Sequence, residues 1–239
     1  MDGSGSSIGD NHEAALEKGG YVPRESFFEF VIDEWDDILV ASLEHLLVVG
    51  LSLLLAVILG VVLGIITYRS RSGSTVATSV TGAFLTVPSF ALLGLLIAPF
   101  GLGYKPTVVA LTLYALLPIV RNTIAGLRSV DPGVLEAAAG VGMGRMGRLV
   151  RVELPLAWPV ILTGIRVSAQ LILGIAAIAA YVEGPGLGEL IFSGLSTFGS
   201  VNSVNLALAG TLGVLVLALL IDLAFILVRW ATIPEVRRA

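Results

Sequence analysis

Five stretches of the chain stay apolar long enough to cross a hydrocarbon layer about 30 Å thick, which takes about 20 helical residues. They run roughly from Leu46 to Tyr68, Val76 to Phe100, Thr107 to Leu127, Pro159 to Val182 and Val204 to Trp230. Proline 88 interrupts the second, where its missing N–H and its ring predict a kink. Gly101 to Pro106 reads as a tight turn between the second and third. Ahead of the first span, Phe27, Phe28, Val31, Ile32, Trp35, Ile38, Leu39 and Leu43 recur near helical spacing, with Glu29, Asp33, Glu34, Asp36 and Asp37 between them. That pattern predicts an amphipathic helix over 27–44 at the membrane surface, with Trp35 at headgroup depth. Residues 1–26 are acidic and rich in Gly and Ser, without the apolar core of a signal peptide, and are expected to form a mobile tail.

An odd number of crossings puts the two termini on opposite sides. Arg69, Arg71, Arg128, Arg145, Arg148, Arg151, Arg229, Arg237 and Arg238 all fall on one side, and little beyond Lys105 lies on the other. The excess of arginine marks the cytoplasmic side. The N-terminus is therefore expected outside, and the tail 231–239 in the cytoplasm. Residues 45–230 form one all-α transmembrane domain.

One long polar interruption stands out against this pattern. Asp131 to Pro155, on the cytoplasmic side, is rich in Gly and Arg, and a loop of about 25 residues among apolar spans needs a reason. Asp131 followed by Pro132 is a helix start, an acceptor at the N-cap and then a residue whose missing N–H costs nothing. Val130 and Leu135 have the spacing of a hydrophobic staple. A short helix through Ala139 is expected, ended by Gly140, Gly142, Gly144 and Gly147, each costing up to about 1 kcal/mol against Ala. A second amphipathic piece, Arg145 to Leu154, leads to Pro155 and the fourth span.

Composition narrows the chemistry. The chain is 56% hydrophobic and 13% charged, against about 25% charged for a soluble domain. It has no cysteine, and His12 and His45 stand far apart without a ligand cluster, so no metal site is expected. His45 reads as an ordinary amphipathic side chain at the outer interface. Neither Lys18 nor Lys105 sits in a phosphate-cradling Gly-Lys-Ser/Thr loop, so ATP and its magnesium are expected on a partner and no cofactor in this chain. No nucleophile or acid–base pair presents itself, and neither an enzyme nor a nucleic-acid binder is expected.

Glu136, Ala137 and Ala138, Gly142 after them, and Val152 ahead of Leu154 and Pro155 resemble the "EAA" signature of ATP-binding-cassette importer permeases. The family has Ile where this chain has Val152. Thr86–Leu93 (TVPSFALL), Tyr114–Thr123 (YALLPIVRNT), Val152–Ala157 (VELPLA) and Gly164–Arg166 (GIR) extend the likeness to the permeases for osmoprotectants: glycine betaine, choline, carnitine or proline. The chain departs from them at Leu85-Thr86, where Gln is usual, and at Pro185, where Gly is. The resemblance implies a multi-pass cell-membrane protein with the type I importer permease (MetI-like) fold. It implies coupling through Glu136, Ala137, Ala138, Gly142, Leu154 and Pro155 to a cytosolic ATPase dimer, a second permease copy or paralogue, and an external solute-binding protein. Permeases for amino acids or sulfonates share the loop, and an ATP-independent secondary transporter or channel would leave it without a purpose.

Pro88, Ser89, Tyr114 and Asn122 are candidates for the solute path: the kink would expose carbonyls, and Tyr114 offers a face for a quaternary ammonium group. Arg121, Arg166 and Asp222 lie inside spans, where a lone charge costs about 2.5–3.5 kcal/mol. Asp222 is therefore expected to pair with Arg166 or Arg121. Gly164, Ser168 and Gly174 suit close helix packing.

Overall fold

The computed structural model describes residues 26–233, and every regular element in it is helical. Expectations for the N-terminal tail, and for Arg237 and Arg238, lie outside the described residues. The order is α1 (Phe27–Asp33), α2 (Trp35–Thr67), α3 (Arg71–Thr86), α4 (Ser89–Phe100), α5 (Tyr104–Arg128), α6 (Pro132–Gly140), α7 (Arg145–Val182), α8 (Gly188–Ser196) and α9 (Ser203–Thr232). Four of these, α2, α5, α7 and α9, are long and apolar enough to span alone, and α3 with α4 makes a fifth crossing in two pieces.

Contacts at the two ends confirm the crossing pattern. At one end Arg128 Nε donates to the Tyr68 carbonyl at 2.7 Å, joining the end of α5 to the end of α2. At the other, Gly103 N–H donates to the Val182 carbonyl at 2.7 Å, joining the start of α5 to the end of α7. The pair α3–α4 therefore leaves from the arginine-rich end and arrives at the opposite one. Its two helices meet at 98°, much sharper than a kink. Pro88 forces Val87 into an extended conformation (φ −77°, ψ 127°), and the carbonyl of Val87 accepts the Tyr114 hydroxyl at 2.8 Å. That bond satisfies a backbone group which lipid could not.

Three expectations change. The helix boundary placed at residue 44 is absent: α2 runs 33 residues, about 50 Å, so the turns from Trp35 to Glu44 continue the first span beyond the hydrocarbon. The fourth span likewise has no break at 155–159. The Gly-, Ser- and Asn-rich loop after it contains α8, whose preceding residue Leu187 is fully buried against α9.

Helix α5 is the core, buried along most of its length by α2 on one side and α7 on the other. Its crossing with α7 is tight. A Cβ at Gly164 would lie 2.6 Å from Asn122 Cβ and 2.7 Å from the Pro118 carbonyl, and Ser168 Oγ donates to the Ala115 carbonyl at 2.8 Å. Gly174, by contrast, faces open space. We expect Gly164→Ala to lower stability by about 1–3 kcal/mol through overpacking. Gly174→Ala, on the same helix, is expected to be neutral or slightly stabilising. Thermal unfolding of the detergent-solubilised protein separates the two.

His45 is a correction. It is 0% exposed, and its Nε2–H donates to the Leu173 carbonyl at 3.1 Å, tying α2 to α7 near the outer end. The imidazole faces the bundle because it heads the buried stripe of α2 that continues through Ser52, Ala56, Gly60 and Gly64.

Candidate functional site

The segment between α5 and α7 is built as its residues predict and then goes further. Asp131 Oδ1 accepts the Gly133 N–H at 2.6 Å, and Pro132 takes the first helical position. Val130 is buried beside the entry, and Leu135 is half-buried. The helix ends in two backbone hydrogen bonds: Gly142 N–H donates to the Ala139 carbonyl at 2.9 Å and Met143 N–H to the Ala138 carbonyl at 3.1 Å. This is a Schellman turn, and it places Gly142 in the left-handed region at φ +85°. The turn itself favours glycine at 142, whatever docks there.

Of the predicted coupling residues, Ala138 faces inward while Glu136, Ala137, Gly142 and Pro155 are exposed and Leu154 is half-buried. Around them lie exposed apolar side chains that sequence reading did not single out: Val134, Val141, Met143 and Met146. A short capped helix therefore offers one carboxylate, small residues and an apolar rim at the cytoplasmic end. Apolar surface gathered in this way marks an interaction site.

The second half of the segment is already α7. One α-turn, Arg145–Arg148, opens into a π-turn, Leu149–Glu153, before the regular helix from Leu154. Pro155 explains the widening: it cannot donate to the Arg151 carbonyl four residues back, and its ring crowds that carbonyl. Glu153 heads the buried stripe of α7 that continues through Ala157 and Ile161, four residues apart, and is itself 1% exposed. Its carboxylate accepts the Tyr68 hydroxyl, Arg69 Nη2 at 3.1 Å and Arg148 Nε at 3.2 Å. Sequence reading passed over Glu153. Its one signal was an acidic residue between apolar Val152 and Leu154 in a segment otherwise basic.

Within the spans, at a partly exposed face of the bundle, Arg166 and Asp222 form a two-pronged ion pair, Nε to Oδ1 at 2.7 Å and Nη2 to Oδ2 at 2.8 Å, linking α7 to α9. Arg121 is exposed and joins neither of them; its side chain makes no hydrogen bond or ion pair among the described residues. Asn122 is half-buried and donates to the Pro118 carbonyl at 2.8 Å, while Pro88 is exposed and Ser89 half-buried at the bend. Tyr114, expected on the solute path, is 3% exposed and acts as a strut under that bend, so its ring offers no open face in this arrangement. At the outer end a cavity of about 580 Å³ is lined by Glu44, Glu183, Glu189 and Phe192 among others.

Comparison with known proteins adds to this geometry. Residues 56–230 match the family described as "Binding-protein-dependent transport system inner membrane component". The carnitine transport permease protein OpuCB of Listeria monocytogenes is 34% identical over 214 residues, 90% of this chain and 96% of the relative. The osmoprotectant import permease protein OsmW of Salmonella typhimurium is 40% identical over 198 residues, 81% and 90% of the two. The choline transport system permease protein OpuBB of Bacillus subtilis is 35% identical over 194 residues, 81% and 88%. Among solved structures, a chain of the MetNI methionine ABC transporter in an inward-facing conformation superposes with a TM-score of 0.70 at 21% identity, over 80% of this chain and 94% of that one.

Proposed function

Because the chain belongs to the binding-protein-dependent transport system inner membrane components, a family of multi-pass membrane permeases, we propose that it is the permease of an ATP-driven importer for a compatible solute of the glycine betaine, carnitine and choline type. The observation that carries the coupling part is α6: a capped helix at the cytoplasmic end with Glu136 exposed and an apolar rim of Val141, Met143 and Met146. A cleft on a cytosolic ATPase dimer is the partner that this surface fits. That dimer holds the ATP and magnesium, a second permease copy completes the path, and an external binding protein delivers the solute. Closure of the dimer moves α6 and, through the unbroken helix from Arg145, tilts α7. Moving a two-state equilibrium from about 1:99 to 99:1 takes about 5.5 kcal/mol of differential binding, so the loop has to be held firmly.

The solute class is supported by the named relatives and by charge. Three carboxylates and one aromatic ring line the outer cavity, and such a mouth favours a solute carrying a fixed positive charge. In proteoliposomes holding the permease with its ATPase and binding protein, we expect ATP-dependent uptake of labelled glycine betaine, with excess carnitine and choline competing and methionine not. Uptake that persists without the ATPase would overturn the importer reading, and competition by methionine alone would overturn the solute class.

A further inference from the structure

We propose that Glu153 is a positioning residue that makes the turn between α2 and α3 a second output of the coupling segment, carrying its movement to the first span and the broken span as well as to α7. This rests on the coupling role proposed for α6. The segment from Arg128 to Glu153 stands on two feet, and both feet hold the same turn. From one, Arg128 Nε donates to the Tyr68 carbonyl at 2.7 Å, and its Nη2 donates to the Ser70 carbonyl at 3.3 Å and to Ser74 Oγ at 2.8 Å. From the other, Glu153 takes the Tyr68 hydroxyl and the Arg69 guanidinium, while Arg148, in the first turn of α7, holds the same carboxylate at 3.2 Å.

Apolar packing alone would attach α7 to its neighbours. A carboxylate withdrawn from water demands donors in fixed directions, and here three side chains supply them. The link is therefore stiff and directional. It also leads somewhere. Ser70, next to the clamped pair, caps α3 by accepting the Gly73 N–H at 3.0 Å, and the far end of α3 is held where Tyr114 meets the Val87 carbonyl. A displacement of Glu153 thus reaches the start of α3 and, along it, the bend before Pro88. The π-turn matters here because Arg148 and Glu153 are five residues apart, a spacing that the wide turn brings together and a regular α-turn would set about 140° apart.

Glu153→Gln keeps the shape but removes the charge that faces two guanidiniums, and Tyr68→Phe removes one donor. In assembled, reconstituted complexes we expect Glu153→Gln to keep hydrolysing ATP while the solute moved per ATP falls at least tenfold, and Tyr68→Phe to lower that ratio about threefold. The natural chain has no cysteine, so Tyr68→Cys with Glu153→Cys can be joined by a short bis-thiosulfonate reagent. The ratio should be low before joining, recover to at least half the wild-type value after it, and fall again on reduction. A purely structural role would lower the amount of assembled complex and show no recovery on joining. Normal coupling in Glu153→Gln, or a joined pair that stays uncoupled, would overturn the proposal. If Gly142→Val is uncoupled while Glu153→Gln is not, this inference fails and the coupling role of α6 stands. If neither is uncoupled, the coupling role itself has failed.

Discussion

Replacing Gly142 by Val is expected to cut ATP-dependent uptake to a few per cent of wild type in a permease that still inserts and folds. The reason is conformational. Gly142 holds φ +85° with no neighbour within 4 Å of where a Cβ would stand, so a larger side chain meets no clash and pays only for the left-handed backbone. That strain is about 1–3 kcal/mol for an ordinary residue and falls at the upper end for a β-branched one. At 1.4 kcal/mol per tenfold, the intact Schellman turn would be populated roughly 30–100 times less, and α6 would lose its fixed end. The turn lies outside the core, so global unfolding should hardly move. The series is diagnostic: Gly142→Asn, which tolerates the left-handed region, should keep most uptake, and Gly142→Ala should fall between. Glu136→Lys, which reverses the exposed charge on α6, should also uncouple while sparing insertion. Normal uptake and normal ATPase stimulation in Gly142→Val would sink the assignment of α6 as the coupling helix.

That prediction begins in features legible without a structure: an N-cap, a staple and a glycine at the end of a short helix. Local grammar and hydropathy also gave the five crossings, since both depend on neighbours in sequence. What escaped depends on neighbours in space. Glu153 looked like one more polar residue in an amphipathic piece, because the partners that bury it, Tyr68 and Arg69, lie over eighty residues earlier. His45 looked interfacial because depth was readable and helix face was not, although Ser52, Ala56, Gly60 and Gly64, spaced four apart, already marked the packed side of α2. Helix α8 hid among residues of poor helix propensity and owes its place to Leu187 seated on α9, a tertiary contact that outweighs propensity.

The other large effect is expected at the intramembrane ion pair. Trp158 Nε1 donates to Thr232 Oγ1 at 3.0 Å and marks the cytoplasmic ends of the apolar parts of α7 and α9. At 1.5 Å per residue, Arg166 and Asp222 lie about 12–15 Å farther in, close to mid-membrane. Their side chains are 38% and 34% exposed, so the pair borders a surface of the bundle at a depth where a lone charge costs about 2.5–3.5 kcal/mol. Partial exposure reduces that figure, and about 2 kcal/mol is a fair value for Arg166 left alone. Asp222→Ala should therefore lower the inserted, active population about 30-fold, measured as uptake per cell and as permease in the membrane fraction. Exchanging the charges, Arg166→Asp with Asp222→Arg, restores the attraction and should bring uptake back to within about threefold of wild type. Arg121→Ala should leave the pair undisturbed, since Arg121 stands apart from it. Full insertion without uptake in the exchanged variant would mean that Arg166 serves the path with its own positive charge, beyond tying α7 to α9.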